Sequence, residues 1–291
     1  MSQFLLYVGY GLVTAAVLSL SAVALTLQYA VSRVANLAHG ELLTIGAYAA
    51  YGVLQLTGSV ILAAVGAAAA GGLAGIAMNL GMIERFAGRP AIIVVIGTLG
   101  VSLIVQNVLT IIYGAANKVY TIDQGSPHHL GPFVLTDAEI LVAVSAAVVA
   151  TALYLLLQRT KFGKALRAVS DNRELATASG IPAQRVITAT WGIAGMIAGF
   201  AGFVLAETIG TFTPSLGFGY LLITLTAAVA GGLGRPYGTL VGAVLVGLVL
   251  ELAGAYTSSS YQLAFALGVL VILLLFRPNG LLVSGRQVVG S

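Results

Sequence analysis

Long apolar runs separated by short polar clusters dominate the chain. Uninterrupted apolar segments fall near residues 4 to 29, 41 to 56, 59 to 80, 91 to 113, 139 to 158, 186 to 206, 218 to 234, 237 to 256 and 260 to 276. A helix rises 1.5 Å per residue, so a run of about 20 apolar residues matches the thickness of a bilayer's hydrocarbon core. The runs are continuous instead of alternating at period two, which favours helices over an outer-membrane barrel. The pattern therefore predicts an all-α, polytopic membrane protein of about eight to ten membrane segments, some of them short or broken helices. It forms one transmembrane domain over residues 1–291 with a charged segment at 159–185. The stretch 218 to 256 is interrupted only by G-G-L-G-R-P-Y-G and reads either as two spans or as a broken pair that does not fully cross.

Composition agrees. Hydrophobic residues make up 59% and charged residues 8%, against roughly 25% charged in globular chains. The chain has no cysteine, which removes disulfides, thiolate metal sites and a thiol nucleophile. The start, M-S-Q-F-L-L-Y-V-G-Y-G-L, lacks a positive n-region and leads into an apolar run too long for a signal peptide, so a retained first span is expected. The net charge of +4 needs no nucleic-acid partner, because lysine and arginine concentrate in cytoplasmic loops. With residue 159 onward in the cytoplasm, Arg33, Arg85, Arg89, Arg159, Lys161, Lys164, Arg167, Arg173, Arg185, Arg235, Arg277 and Arg286 share that side and Lys118 stands outside. The N-terminus is then outside and the C-terminus inside, in a bacterial or archaeal inner membrane.

Two external loops follow. Residues 114 to 138 carry Asp123, Gly125, Pro127, His128, His129, Gly131, Pro132 and Asp137, a turn-rich mix read as a solvated loop. Residues 207 to 217 carry Glu207, Thr208, Thr211, Thr213 and Pro214, and either loop could meet an extracytoplasmic partner. Within the apolar segments, Gly71 with Gly75, Gly195 with Gly199 and Gly238 with Gly242 form G-x-x-x-G. Such spacing lets helices approach closely, against one another or against a second subunit, although glycine is common in membrane helices generally.

Candidate chemistry is sparse. Asn36, His39, Gly40 and Glu41 in A-N-L-A-H-G-E-L stand at the entry to a short apolar segment. His-x-Glu supplies two possible metal ligands, too few for a zinc site without company. The reading preferred here is a helix that begins inside the membrane, with Gly40 permitting the break and the polar groups satisfying freed backbone, which points toward a translocation path. Thr98, Ser102 and Gln106, spaced by four, give one helix a polar stripe suited either to interhelical hydrogen bonds or to lining that path. Glu251 and Glu207 are further candidates as carboxylates in or near late helices, Glu207 being interfacial. The only Gly-Lys, Gly163-Lys164, is followed by Ala165, so the phosphate loop G-x-x-x-x-G-K-[ST] is missing and no nucleotide or other cofactor is expected in this chain.

Residues 159–185 form the one long charged segment. Asp171 with Glu174 predicts a capping-box-like start, Leu175, Ala176 and Ala178 an apolar face, and Gly180 with Pro182 a stop. Lys164 and Arg167 at i and i+3 make a basic face for anionic lipid headgroups. A short cytoplasmic helix results, or else a plain connecting loop.

N-L-A-H-G-E at 36 to 41, E-R-F-A-G-R-P at 84 to 90, G-K-A-L-R-A at 163 to 168, D-N-R-E-L-A-T-A-S-G-I at 171 to 181, T-P-S-L-G-F at 213 to 218, G-G-L-G-R-P-Y-G at 231 to 238 and R-P-N-G-L-L at 277 to 282 occur in this order. Together they resemble the permease subunits of ABC importers for branched-chain amino acids, a family related to urea, amide and sugar permeases. The resemblance implies a segment around 171 to 181 that docks on a separate ATP-binding subunit, which holds the ATP and magnesium. Arg167, Asp171, Glu174, Leu175, Ala178 and Gly180 are the coupling candidates. It also implies a second permease subunit or second copy, and an extracytoplasmic solute-binding protein. Two positions depart from the pattern: Ile223 stands where many relatives carry lysine, and Leu37 replaces the commoner phenylalanine. The alternative reading is an ion-coupled secondary transporter, with a sodium site at broken helices.

Overall fold

The computed structural model describes residues 2–86, 88–122, 125–130, 133–258, 261–277 and 280–281. The readings placed on Asp123, Gly131, Pro132, Pro278, Asn279, Leu282 and Arg286, and on the side chain of His129, lie outside the described residues.

The apolar runs become helices α1 (Ser2–Ser32), α2 (His39–Thr57), α3 (Val60–Met78), α4 (Ala91–Tyr113), α5 (Asp137–Arg159), α8 (Ala183–Ile209), α9 (Leu216–Gly231), α10 (Pro236–Tyr256) and α11 (Gln262–Phe276). The charged segment becomes α6 (Lys161–Asp171) and α7 (Arg173–Ala178). A π turn, Asn79–Ile83, extends α3. Among the described residues six helices are long and apolar enough to cross a membrane, and the chain is a multi-pass membrane protein. At about 24 Å for 16 residues, α9 falls short of the roughly 30 Å hydrocarbon core.

One expectation needs correction. The external loop is not irregular throughout: β2 (Pro127–Leu130) and β3 (Phe133–Thr136) form an antiparallel hairpin, and β1 (Lys118–Val119) pairs with β4 (Thr211–Phe212) from the second external loop. His128 is therefore on a strand, its Nε2 2.6 Å from Asp137 Oδ1, although its side chain remains 48% exposed. The turn residues signalled a reversal, but the pairing of two short strands has no strong sequence signal at this length.

Helices α1 and α8 are mostly buried in the chain, whereas α4, α5 and the outer face of α3 present leucine, isoleucine and valine outward. That gradient sets the order of packing. Gly71 and Gly75 of α3 mesh with Gly195 and Gly199 of α8, so that a Cβ on any of these four would strike backbone of the other helix. Gly238 and Gly242 of α10 do the same against Ala227 and Gly231 of α9. The G-x-x-x-G pairs are thus spent within the chain. Buried hydroxyls tie α1 to the last helices, Ser21 to Thr224 and Thr26 to Thr239, each at 2.9 Å. Glu251 is likewise engaged, its Oε1 accepting from Thr14 Oγ1 at 2.7 Å. Glu207 lies half-buried at an apolar crevice of about 580 Å³ between α3, α5 and α8.

The loops bearing arginine gather at one end. Arg33 donates to the Ser170 carbonyl at 2.6 Å, Ser170 Oγ donates to the Ala30 carbonyl at 3.0 Å, and Gln158 donates to Tyr237 Oη at 3.0 Å. Lys118 lies at the opposite end, over the Tyr51 ring at 5.8 Å.

Candidate functional site

The start of α2 is inserted among its neighbours. Its His39 imidazole lies between two acceptors of α1, the Gln28 side-chain carbonyl at 3.0 Å and the Ser21 backbone carbonyl at 3.1 Å. Ser21 and Gln28 are 11 and 4 residues from the end of α1 at Ser32, or about 16 and 6 Å along the axis. Residues 33 to 38 therefore turn back beside α1, and α2 begins below the arginine-rich end. Arg33, at φ 55°, makes the reversal, and its guanidinium bond to Ser170 holds it there. Asn36 secures the re-entry: its Oδ1 accepts from Ala38 N at 3.0 Å and its Nδ2 donates to Gln28 Oε1 at 3.2 Å.

Helix α4 supplies the opposite wall. Glu41 Oε1 accepts from Ser102 Oγ at 2.7 Å and from Gln106 Nε2 at 2.9 Å, while Thr98 Oγ1 accepts from Leu37 N at 3.2 Å. All three stripe residues thus face the α2 entry. Thr98 and Ser102 are fully buried and make hydrogen bonds across to the α2 entry. Glu41 is also fully buried, and its Oε2 has no partner among the described residues. The Gln28 Nε2 shares that condition.

The third wall is the short helix α9. Thr44 Oγ1 accepts from Gly217 N at 3.0 Å, and Gly40 and Gly217 pack backbone to backbone. Two helix N-termini therefore converge, α2 and α9, each carrying the partial positive charge of unpaired N–H groups. Seven residues beyond Glu41, about 10 Å outward along α2, Tyr48 opens an aromatic layer. Its ring lies 4.8 Å from Tyr113 and 5.2 Å from Phe212, and Tyr120 is 4.9 Å from Phe212. Tyr120 donates to the Ala47 carbonyl at 2.8 Å, and burial holds its hydroxyl well above the usual phenol range, so it stays a donor. The polar cluster is thus closed on the Lys118 side by rings packed tilted or edge to face. Gln28, Ser21 and Thr44 escaped the sequence reading. Their signal was faint: Ser21 and Gln28 stand seven apart, hence on one face of the first helix, and Thr44 is an isolated hydroxyl in α2.

The coupling candidates occupy the arginine-rich end. In α6, Gly163, Leu166 and Val169 are buried at intervals of three and Lys161, Lys164 and Arg167 face outward. Arg167 donates to the Leu157 carbonyl at 2.6 Å, capping the end of α5. The predicted box of Asp171 and Glu174 does not form. Asp171 closes α6, and Asn172, extended at φ −151°, caps α7 by accepting from Leu175 N at 2.9 Å. Asparagine caps as well as aspartate does, so the helix start moved by one residue. The apolar residues of α7 do not share one environment. Only Ala176 is buried; Glu174 and Ala178 are exposed, and Leu175 is 64% exposed at the surface. Gly180, at φ 85°, provides the stop, with Ile181 N donating to the Ala176 carbonyl at 3.0 Å.

A family model described as branched-chain amino acid transport system / permease component matches residues 7–274. The high-affinity branched-chain amino acid transport system permease protein BraD of Pseudomonas aeruginosa is 29% identical over 287 residues, covering 94% of this chain and 93% of its own length. The corresponding LivH of Escherichia coli K12 is 29% identical over 284 residues, 91% of this chain and 90% of its own. The probable LivH permease of Methanocaldococcus jannaschii is 30% identical over 294 residues, 94% and 88%. No solved structure matches.

Proposed function

Because the chain belongs to the family of branched-chain amino acid transport permease components, we propose that it carries branched-chain amino acids across the membrane as the spanning subunit of an ATP-driven importer. Exposed α7 carries this reading. A six-residue helix capped at both ends, held by one buried alanine and presenting Glu174 and Leu175 outward, has the form of a docking element. Hydrolysis belongs to ATP-binding partner subunits, which supply the nucleotide and its magnesium. A second permease, or a second copy, completes the pathway, and an extracytoplasmic binding protein delivers the solute to the Lys118 side. Membrane lipid covers the outward leucine and isoleucine of α4 and α5, and no nucleic acid takes part.

The path runs past the convergence of α2 and α9. Asn36, His39 and Gly40 shape it, Glu41 borders it, and Thr98, Ser102 and Gln106 hold the border in place. When partner closure pulls α7, α6 and α8 move with it, and the loosely seated α4 side can part from α2. Family membership sets the ion-coupled alternative aside.

Leu175→Asp and Glu174→Lys test the coupling. Both side chains are exposed, so folding should change by no more than about 0.5 kcal/mol. Reconstituted with the partner ATPases, each variant should lose at least about tenfold in uptake, as expected when one interface contact worth about 1.4 kcal/mol is removed. Wild-type uptake would refute the docking role.

Orientation is proposed as N-terminus outside and C-terminus inside. The lack of native cysteine makes this directly measurable. In intact cells a membrane-impermeant maleimide should label Ala116→Cys and should reach Glu174→Cys only after lysis. The reverse pattern would invert the topology.

A further inference from the structure

The arginine-rich end holds a second site, a partly open cavity of about 170 Å³ beside the start of α7. Asn79, Glu84, Arg89, Arg173 and Gln184 supply its polar wall. Ile83, Val94 and Ile187 supply an apolar one. Asn79 belongs to the π turn and is 1% exposed; its Nδ2 donates to Thr188 Oγ1 at 3.0 Å, and its Oδ1 is buried with no partner among the described residues. A π turn replaces regular helix at a cost and recurs at functional sites. Arg173 donates to Gln184 Oε1 at 2.9 Å, bridging α7 to α8 across the cavity. Glu84 and Arg89 have no side-chain hydrogen bond or ion pair among the described residues.

We propose that this cavity binds the zwitterion of a small aliphatic α-amino acid from the cytoplasm. A carboxylate fits the two guanidiniums, which form the strong, directional class of charge-assisted hydrogen bond. An ammonium group donates to Asn79 Oδ1 and to Glu84, giving the orphaned oxygen its partner. The side chain lies on Ile83, Val94 and Ile187. An acid without the amine, or an amine without the acid, uses half of the site. Arg173 is the first residue of α7, so an occupant tied to it also ties the docking helix to the π turn. Internal product then restrains the element that the ATPase must move, and transport slows as the cytoplasmic pool fills. The choice of amino acid rests on the transport reading above.

The test uses the chain assembled with its ATP-binding partners in lipid nanodiscs, without the extracytoplasmic binding protein. Radiolabelled leucine should bind saturably and be displaced by valine. Isovalerate and isoamylamine, each missing one charge, should compete at least about tenfold more weakly. Arg89→Gln and Glu84→Gln should each weaken leucine about tenfold while keeping the wild-type thermal midpoint, since both side chains are exposed. In vesicles with leucine on the α7 side, ATP hydrolysis should slow for wild type and escape that inhibition in Arg89→Gln. Absence of saturable binding, or equal affinity in wild type and both variants, overturns the site. Failure of the complete transporter to accumulate leucine is a separate result and sinks the transport reading instead.

Discussion

Gly195→Leu is expected to prevent the helices from assembling. Gly195 is where α8 passes α3, and a Cβ there would overlap the Gly71 carbonyl and approach the Gly75 Cα at 3.1 Å. The obstacle is backbone on both sides, so no rotamer change can relieve it; the helices must separate along the whole crossing. Overpacking a well-filled core costs about 1 to 3 kcal/mol where side chains can yield, and here they cannot. The loss should be about 3 kcal/mol or more, a large share of a typical total stability of about 5 to 15 kcal/mol. Gly199 and Gly46 add to the effect, because α2 packs on the same stretch of α8. Gly219→Ala is the control. It meets open space on an exposed face of α9 and should be neutral or stabilising by up to about 1 kcal/mol. Thermal unfolding in detergent, followed by size-exclusion profile, reads both. A monodisperse Gly195→Leu protein with the wild-type midpoint would mean that α3 and α8 do not cross as described.

Glu41→Leu should give the second largest loss, by a different mechanism. The carboxylate collects the Ser102 hydroxyl and the Gln106 amide; its removal strands the buried Ser102 hydroxyl proton and leaves the Gln106 amide only Ser102 Oγ, at 3.1 Å. Each buried polar group left unpaired costs about 1 to 3 kcal/mol, and more where no water can enter. Gln106 is partly exposed and recovers some of this, so a net loss of about 3 kcal/mol is expected. Glu41→Gln keeps an acceptor of the same shape and should stay within about 1 kcal/mol of wild type. The pair separates two roles: if Glu41→Gln folds normally yet transports poorly, the charge itself matters to the path. Thermal midpoint and reconstituted uptake measure the two effects. A Glu41→Leu variant as stable as wild type would remove Glu41 from the centre of the cluster.

Much of this architecture was legible in the chain. The run at 91 to 113 is α4, and the runs at 237 to 256 and 218 to 234 are α10 and α9 within a few residues. Hydrocarbon accounts for this directness: a spanning segment must satisfy all its own backbone hydrogen bonds, so apolar length translates into helix with few alternatives. The Gly180 stop was legible for a similar local reason, since a left-handed residue ends a helix whatever surrounds it. The cap at α7 was not, because Asp171 and Asn172 are both good caps and the chain direction between α6 and α8 decides between them.

The site divides along the same line. The sequence by itself determined that polar residues lie at the start of one short helix and along one stripe of another, and that a charged segment must stand outside the bilayer. Only the tertiary structure decided that the two belong together, with Glu41 holding Ser102 and Gln106, His39 reaching back to Ser21 and Gln28, and Gly40 seated on Gly217. It also decided that the glycine pairs close on one another within the chain and that Leu175 faces out. Helix formation in lipid is a contest settled within each segment. Which faces meet depends on shape and on hydrogen-bond partners tens to hundreds of residues away, and no local pattern encodes those distances.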